Sequence, residues 1–266
     1  MAPLRTALYQ GPSGVPSSVD DSMAALDGAA RRAAAAGARL LVTSEMFTTG
    51  YAVGRAIPSL AEAADGPTAA RVAGIAAEHG LGIVYGYPER DGDDVFNAAQ
   101  LIGPDGERLA NYRKTHLFGD GERAWFTPGD RAVVQAELDG TRIGILICYD
   151  VEFPENVRAH ALAGTELLTV PTALMRPYEF VAQTLVPARA FESQLHVAYT
   201  NRCGPEGKFD FAGLSCLAGP DGAVRARAGS GEELVVADAD PAVLRAAREE
   251  TPYLADRRPE LYRSLG

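Results

Sequence analysis

The chain has 266 residues, of which 47% are apolar and 23% charged, a composition typical of globular proteins and far from that of disordered or fibrous chains. The formal net charge of −10 disfavours binding to nucleic acid or to an anionic membrane, because both would be repelled. The first residues lack the apolar run of a signal peptide, and the Ala-rich stretch 31–41 is too short to span a bilayer. We therefore expect a cytoplasmic protein that binds neither nucleic acid nor membranes.

The first third of the chain alternates strand and helix patterns. Apolar runs predict strands at 5–10, 38–43 and 82–87, and helices at 19–36 and 68–79 separate them. Gly37 and Gly80 follow the helices directly, where glycine commonly ends a helix. The second of these strands is followed at once by Glu45, so this carboxylate is expected at the carboxyl end of a buried strand.

Hairpins follow Pro88, and then helices and strands alternate again. The predicted elements are hairpins around 103–106 and 139–140, a strand at 142–147, a helix at 154–163, a strand at 166–170, a helix at 178–193 that Pro187 interrupts, a strand at 196–201, a hairpin over 214–228, and a strand at 234–237. Residues 241–266 are expected to form a short helix and an irregular arm. No linker composition divides the chain, so one domain spanning 1–266, with helices outside and sheets within, is the simplest architecture.

Three residue types needed to hydrolyse an amide lie at the ends of predicted strands: a nucleophile, a proton carrier and a cation for an oxyanion. Cys148 ends the most apolar strand, Glu45 follows another, and Lys114 lies among aromatic and apolar residues. Each has another interpretation when taken alone. A lone cysteine is commonly a buried structural residue, Glu45 would suit a buried ion pair, and Lys114 would suit a solvated surface.

Metal or disulfide chemistry is not indicated. The cysteines at 148, 203 and 216 are odd in number and have no CxxC spacing, and the four histidines lack the spacing of metal ligands. We therefore expect no metal and no cofactor, with Cys203 and Cys216 as structural residues.

Three segments, 44–47 (SEMF), 112–118 (YRKTHLF) and 147–150 (ICYD), resemble in this order the Glu, Lys and Cys motifs of the nitrilase superfamily. The likeness extends from about residue 4 to residue 262, with Ser44 where the family commonly has proline. It implies an α/β fold, a four-layer α-β-β-α sandwich whose layers extend across a homodimer or higher homo-oligomer.

The resemblance also implies roles for the residues of these motifs. Glu45 would be the general base and later the acid, Cys148 the nucleophile that forms a thioester, and Lys114 the oxyanion partner together with the backbone N–H of Tyr149. Glu122 matches a second glutamate that orients the lysine and the substrate. A lysine about 4 Å from the sulfur is further expected to lower the pKa of the thiol toward neutrality.

The residues after Cys148 resemble the amidase branch, and segments 62–67, 83–90 and 111–118 resemble 5-aminopentanamidases most. This likeness implies a short aliphatic amide with a distal cationic group, such as 5-aminovaleramide. Glu152 and Glu179 are candidates to bind that group because a buried ammonium needs a partner, and Thr172 and Ala173 are further substrate-binding candidates. A nitrilase, a carbamoylase, and a hydrolase of 4-guanidinobutyramide or a neutral amide are the alternatives. A catalytically idle binding scaffold is disfavoured by the intact trio.

Overall fold

The structure, a computed structural model, describes residues 2–262. Its centre is formed by two six-stranded sheets and one separate hairpin. The strands are β1 (Leu4–Gln10), β2 (Leu40–Val42), β3 (Gly82–Asp91), β4 (Asp94–Ile102), β5 (Arg108–Arg113), β6 (Gln135–Leu138), β7 (Thr141–Ile145), β8 (Leu167–Pro171), β9 (His196–Thr200), β10 (Cys203–Glu206), β11 (Phe209–Ala212), β12 (Cys216–Ala218), β13 (Val224–Arg227) and β14 (Glu233–Ala239). The first sheet has the order β14-β1-β2-β3-β4-β5, the second has the order β13-β12-β9-β8-β7-β6, and β10 pairs with β11.

Helices cover the outer faces of both sheets. The structure contains the α-helices α1 (Val19–Ala35), α2 (Ile57–Leu60), α3 (Pro67–His79), α4 (Gly119–Arg123), α5 (Pro154–Leu162), α6 (Val186–Ser193), α7 (Pro241–Glu250) and α8 (Tyr253–Asp256), and the longer of them cover the sheets. Short 3-10 helices cover Gly54–Ala56, Cys148–Glu152 and Pro259–Leu261. No helix among residues 2–262 is long and apolar enough to cross a membrane.

The two sheets pack face to face, and their inner faces share one buried cluster. Val42 and Val84 of the first sheet belong to it together with Ile145 and Val197 of the second. The alternate residues of the first sheet, such as Leu41, point outward and pack with α1 and α3. Both faces of each central strand are therefore covered, which explains the continuous apolar runs of the sequence. The predicted four-layer α-β-β-α sandwich is confirmed.

The arrangement of parallel strands brings the predicted site residues to one place. β1, β2 and β3 are parallel neighbours, as are β7, β8 and β9. Glu45 follows β2, Cys148 follows β7 and Thr172 follows β8, all at carboxyl ends. The main-chain amide of Glu45 donates a hydrogen bond to the Thr172 carbonyl at 3.3 Å, so the ends of the two sheets meet there.

Four parts of the chain differ from the sequence-based expectation. The sequence patterns do not predict the hairpin β10–β11 or the short helix α4, because each strand has only four residues and the helix only five. The helix expected over 178–193 begins at residue 179, runs as a π-helix over Val181–Leu185, and continues as α6 with Pro187 in its first turn. The arm after α7 is partly helical. That residues 1–266 form one domain stays a prediction, and residues 263–266 of the arm lie outside the described part.

Candidate active site

Glu45 lies just beyond β2 and is fully buried. β3 approaches this segment closely at Gly86, where a Cβ atom would lie 2.6 Å from Met46 N and 2.7 Å from Ser44 O. No side chain fits there without displacing backbone, so the glycine allows β3 to support the segment that carries Glu45.

Lys114 follows β5, and its side chain has no exposed surface. Its Nζ donates hydrogen bonds to Glu45 Oε1 at 2.8 Å and to Glu122 Oε1 at 2.7 Å. A buried ammonium is costly unless it has such partners. The structure thus brings together three of the predicted residues, and Lys114 is not the solvated surface lysine of the alternative interpretation.

Glu122 is held by α4 and by a tyrosine that the sequence analysis did not single out. Its Oε1 accepts a hydrogen bond from the Tyr51 hydroxyl at 2.7 Å, and its Oε2 accepts one from the main-chain amide of Phe118 at 2.7 Å. With Lys114 as a further donor, both carboxylate oxygens are fixed. Glu122 is therefore a buried part of the lysine site rather than a solvated loop residue.

Asn97 on β4 is the second neighbour of Glu45. Its Nδ2 donates a hydrogen bond to Glu45 Oε1 at 2.6 Å, so this oxygen accepts from both Asn97 and Lys114. Among residues 2–262, the other oxygen, Oε2, is buried without a hydrogen-bond partner. An unpaired buried acceptor costs about 1–3 kcal/mol. Glu45 therefore keeps one oxygen fixed and one available for a proton or a substrate group.

Cys148 begins the 3-10 helix that follows β7, with a φ of 47°. This left-handed conformation costs about 1–2 kcal/mol for a residue other than glycine and persists only where the surroundings impose it. The thiol residue is half-buried, whereas Cys203 and Cys216 are fully buried. Of the three cysteines, Cys148 alone is thus partly accessible from solution.

Asp150 fixes the turn after Cys148 and joins it to the lysine segment. Its Oδ2 accepts from the Ile147 amide at 3.1 Å and from the Tyr112 hydroxyl at 2.9 Å. Its Oδ1 accepts from the His116 amide at 2.8 Å and from the Thr115 hydroxyl at 3.0 Å. One buried carboxylate therefore sets the relative position of the loops that carry Lys114 and Cys148.

The charges of the site oppose ionisation of the thiol. Burial and the negative charge of Glu45 raise the pKa of Cys148 well above its ordinary value, although Lys114 and the main-chain amide of Ala173 act in the opposite direction. The expectation that Lys114 lowers the pKa of the thiol toward neutrality is therefore wrong. Burial is the larger reason. The two carboxylates within 2.8 Å of the ammonium add to it, because they leave the charged group as a whole anionic.

The pKa values of the other two groups follow from the same arrangement. Burial raises the pKa of Glu45 even though Lys114 lowers it. Burial lowers the pKa of Lys114, but the charges of Glu122 and Glu45 outweigh this and raise it well above its ordinary value. The resting site thus contains an ammonium, a neutral thiol and a carboxylate whose affinity for a proton is increased.

The four predicted substrate-binding residues have different environments. Ala173 is buried, and its main chain acts to lower the pKa of Cys148. Thr172 is buried, and its hydroxyl donates to Val170 O at 2.9 Å, so it belongs to the frame of the site. Glu179 forms a partly exposed ion pair with Arg176 at 2.7 Å, which corresponds to the structural alternative for this residue.

Glu152, the fourth candidate, is half-buried at the end of the 3-10 helix that begins at Cys148. Within residues 2–262 its carboxylate forms no hydrogen bond or ion pair, and only its main-chain oxygen is engaged, by Arg189 Nη2 at 2.8 Å. Burial raises the pKa of Glu152, while the charges of Lys114 and Arg189 lower it. Glu152 is therefore an acceptor without a side-chain partner among these residues, and its carboxylate responds to the charge of Lys114. Arg189 itself pairs with Glu192 at 2.8 Å, as a structural ion pair.

An apolar cleft of about 370 Å³ opens beside Glu122, between α4 and the hairpin β10–β11. Its volume is in the range of small-molecule sites. Aromatic side chains dominate its walls, and Lys208 contributes a cation: the lining includes Tyr51, Phe118, Trp125, Phe126, Phe209 and Lys208. The ring of Phe118 also packs edge-to-face against the ring of Tyr149, the residue after the nucleophile. The cleft is thus adjacent to both the lysine site and the cysteine turn.

Asn97 and Tyr51 are the functional candidates that sequence reasoning missed. Asn97 had a usable signal, because it is a polar residue within the apolar strand β4 and a buried amide needs a partner. Tyr51 had none, because its position depends on chain segments that are distant in sequence.

Asp27, Glu78 and His79 are the one cluster among residues 2–262 with the spacing of metal ligands. It is partly exposed between α1 and α3, and His79 already contacts Asp27 at 2.7 Å. Such exposed acidic groups commonly hold no ion, and we assign no metal to them.

Comparison with known proteins identifies the family. A profile of the carbon-nitrogen hydrolases matches residues 5–249. The chain is 50% identical over 264 residues to a hydrolase encoded in the pqqF 5' region of Pseudomonas protegens, covering 98% of this chain and 92% of that protein. It is 38% identical over 220 residues to an (R)-stereoselective amidase of Pseudomonas sp., covering 82% of this chain and 79% of the amidase.

A solved amidase from Nesterenkonia sp. superposes with a TM-score of 0.88 at 36% identity, covering 100% of this chain and 97% of that one. Family profile, relatives and fold agree with the residues gathered at the sheet ends. The chain therefore belongs to the carbon-nitrogen hydrolases, in the amidase branch of the nitrilase superfamily, and is an amidohydrolase that cleaves amide C–N bonds.

Proposed function

We propose that this amidohydrolase converts a short aliphatic primary amide into its carboxylic acid and ammonia through a thioester on Cys148. The observation that carries the proposal is the double hydrogen bond of Lys114 to Glu45 and Glu122 beside the strained Cys148 turn. Mutants of the amidase from Nesterenkonia sp. AN1 have been solved with acrylamide and with butyramide, two short primary amides.

Acylation begins with transfer of the thiol proton to Glu45 as the sulfur attacks the amide carbon. A neutral thiol beside a carboxylate of raised pKa favours this coupled step, since no stable thiolate is needed. The oxyanion forms near Lys114 Nζ and the Tyr149 amide, which donates to no other group among residues 2–262. The intermediate then collapses, the C–N bond breaks, and Glu45 returns the proton to the departing ammonia.

Deacylation uses the same groups to hydrolyse the thioester, with water in place of the thiol as the proton donor to Glu45. Glu45 accepts a proton from water as the water oxygen attacks the thioester, and Lys114 again faces the oxyanion. The C–S bond breaks, the acid leaves, and the proton on Glu45 returns to the sulfur of Cys148. No redox change and no further reactant besides water is involved.

Ammonia release from a panel of short primary amides tests this reaction. Cys148→Ala is expected to abolish ammonia release. Cys203→Ala should retain it, because Cys203 is buried and its thiol donates a hydrogen bond to Gly11 O at 3.2 Å. Absence of hydrolysis by the wild-type protein across the panel would refute the proposal.

Comparing acid formation from matched nitrile, amide and carbamoyl compounds separates an amidase from the nitrilase and carbamoylase alternatives. A protein that is never acylated at Cys148 would be a binding scaffold.

For the distal end of the substrate we propose a cationic group that Glu152 binds, as in 5-aminovaleramide. The support is the half-buried Glu152 carboxylate, which responds to the charge of Lys114 and has no hydrogen-bond or ion-pair partner within residues 2–262, whereas Glu179 is already paired with Arg176. A buried ammonium needs such a partner. One observation favours a different substrate: Lys208 at the aromatic cleft would suit a distal carboxylate.

Three amides of equal chain length distinguish these possibilities: 5-aminovaleramide, valeramide and glutaramate, which carry a positive, no and a negative distal charge. We expect kcat/KM to be highest for 5-aminovaleramide, and Glu152→Gln to reduce that value while leaving valeramide nearly unchanged. A preference for glutaramate that Lys208→Gln removes would overturn the cationic assignment. A preference for valeramide would indicate a neutral substrate. 4-Guanidinobutyramide tests a larger cation in the same assay.

We also propose that the protein forms a homodimer. The segment before α6 exposes Tyr178 and Phe180, and α6 exposes Phe191. Exposed large apolar side chains of this kind are typical of surfaces covered by another subunit when they form a patch. Sedimentation of the wild type and of Phe180→Asp would test this, and a monomeric wild type would refute it.

A further inference from the structure

Tyr51 connects the lysine site to the hairpin β10–β11. Its hydroxyl donates to Glu122 Oε1 at 2.7 Å, the same oxygen that accepts from Lys114 Nζ at 2.7 Å. Its ring packs edge-on against Phe209 and Phe211 of β11. Burial and the charges of Glu122 and Glu45 raise the pKa of Tyr51 well above its ordinary value, so the hydroxyl remains a donor.

The main chain of Tyr51 is held by a buried ion pair of the same hairpin. Glu206 Oε1 accepts from the Tyr51 amide at 2.5 Å and from the Ala52 amide at 2.7 Å. Glu206 Oε2 pairs with Arg202, and the two side chains are 0% and 6% exposed. Arg202 Nη1 also lies 3.4 Å from the Glu45 carbonyl. One ion pair therefore contacts the segments of both Glu45 and Tyr51.

We propose that Tyr51 and Glu206 are positioning residues for amide hydrolysis: the Arg202–Glu206 pair fixes the Tyr51 main chain, and the Tyr51 hydroxyl holds the Glu122 oxygen that binds Lys114. This inference rests on the proposed function. Among the described residues neither side chain is hydrogen-bonded to Glu45 or Cys148, and both act through Glu122 and Lys114.

Loss of the Tyr51 hydroxyl would change how the three N–H groups of Lys114 are shared among its hydrogen-bond acceptors. An ammonium has three N–H groups, of which Glu45 and Glu122 take two, leaving one for an oxyanion. Without the Tyr51 hydroxyl, Lys114 is the remaining donor to Glu122 Oε1 among the described residues, and this oxygen attracts the ammonium more strongly. Lys114 then stabilises the Glu45 carboxylate less, so the pKa of Glu45 rises and proton transfer from Cys148 is misaligned.

The rate of Cys148 alkylation by iodoacetamide, measured against pH by peptide mass spectrometry on the full chain, tests this without a known substrate. The sulfur forms a bond to carbon, the C–I bond breaks, iodide leaves, and Glu45 accepts the thiol proton. Tyr51→Phe keeps the aromatic packing and is expected to slow alkylation about tenfold, the equivalent of about 1.4 kcal/mol. In Tyr51→Phe the acid limb of the plot of alkylation rate against pH should move to higher pH.

Tyr85→Phe is the matched control, because Tyr85 is buried and donates to Gln100 at 3.0 Å, in contact with neither Glu122 nor Lys114. It should leave the rate and the pH profile unchanged. Glu206→Gln should produce the same acid-limb shift as Tyr51→Phe, and the double variant should add little to it, since both act on one hydrogen bond.

Two failures are distinguishable. If wild-type Cys148 reacts no faster than in Glu45→Gln, base activation and with it the proposed function fail, and the positioning role fails too. If the wild type reacts faster than Glu45→Gln while Tyr51→Phe matches the wild type in rate and pH profile, only the positioning inference is overturned. Because Tyr51→Phe removes one oxygen, it serves as the test even if Glu206→Gln does not fold.

Discussion

The Tyr112 hydroxyl donates a hydrogen bond to Asp150 Oδ2 at 2.9 Å, and this bond crosses from the first sheet to the cysteine turn. Tyr112 is fully buried in β5, two residues before Lys114, and Asp150 lies two residues after Cys148. The catalytic candidates are therefore not positioned independently, because one buried contact relates the lysine strand to the nucleophile.

Asp150→Asn should both destabilise the fold and disturb the site. The aspartate accepts hydrogen bonds at both oxygens, so an amide NH2 in either orientation would face a donor: Ile147 N and Tyr112 on one side, or His116 N and Thr115 on the other. A buried unpaired donor costs about 1–3 kcal/mol. We expect the free energy of unfolding, measured in urea, to fall by about 3 kcal/mol, with a lower kcat.

Asp221→Asn is the control, because Asp221 forms a partly exposed ion pair with Arg225. It should lower the free energy of unfolding by less than about 1 kcal/mol. Equal effects of the two variants would contradict the argument.

Gly86→Ala should damage activity through the position of Glu45. The new Cβ would lie 2.6 Å from Met46 N and 2.9 Å from Glu45 Cα, and backbone cannot move aside as a flexible side chain can. A displacement near 1 Å in an active site can cost about a hundredfold in rate. We expect kcat/KM to fall by about that factor. Gly74→Ala on α3, where nothing lies within 4 Å, is the control and should retain activity. An active Gly86→Ala enzyme would show that the segment tolerates movement.

The sequence predicted the frame of the molecule well, because its local patterns are unambiguous. The strands that deliver Glu45 and Cys148 are buried on both faces, so their apolar runs identify them, and Gly80 marks the end of α3 with a φ of 65°. The triad could be assembled only through resemblance to a family. No local pattern indicates that Lys114 meets Glu45, 69 positions away.

What could not be predicted depends on contacts between distant segments. Tyr51 receives its position from Glu206, 155 residues later, and the hairpin that carries Glu206 is too short for a periodic signal. The pKa of Cys148 depends on contacts of the same kind. The attraction of Lys114 alone would lower it, but burial and the negative charge of Glu45 together outweigh that attraction.

Asn97→Ala should move the acid limb of kcat/KM to higher pH. Glu45 acts as a base and must be ionised, and the hydrogen bond from Asn97 lowers its pKa. Removing that bond raises the pKa further, so the active form is lost at a higher pH as the solution is acidified. The loss of activity should therefore be larger at acid than at neutral pH.

Gln100→Ala is the control for Asn97, because it removes another buried amide of β4 that contacts Tyr85 and Asn111 instead of Glu45. It should lower stability without changing the pH dependence of kcat/KM. An Asn97→Ala profile that coincides with that of the wild type would exclude this role for the hydrogen bond.

His160 should make the fold sensitive to acid independently of catalysis. His160 is fully buried on α5, and its Nδ1 forms a hydrogen bond with the Thr165 hydroxyl at 3.0 Å. Burial lowers the pKa of His160 from 6.5 to about 4. Below about pH 6.5 the unfolded chain binds a proton that the folded chain does not bind until about pH 4. The stabilising contribution is thus complete above pH 6.5 and is lost as the pH falls toward 4, by about 3 kcal/mol.

Urea denaturation of the wild type and of His160→Gln across that interval measures the effect. The variant should be less stable near neutral pH, because it loses the packing and hydrogen bond of the imidazole. Its free energy of unfolding should nevertheless decline less steeply on acidification, since the carboxylates titrate in both proteins and cancel in the comparison. Parallel declines would mean that His160 accepts a proton in the folded protein as readily as in the unfolded chain, and burial would then not be the cause of acid sensitivity.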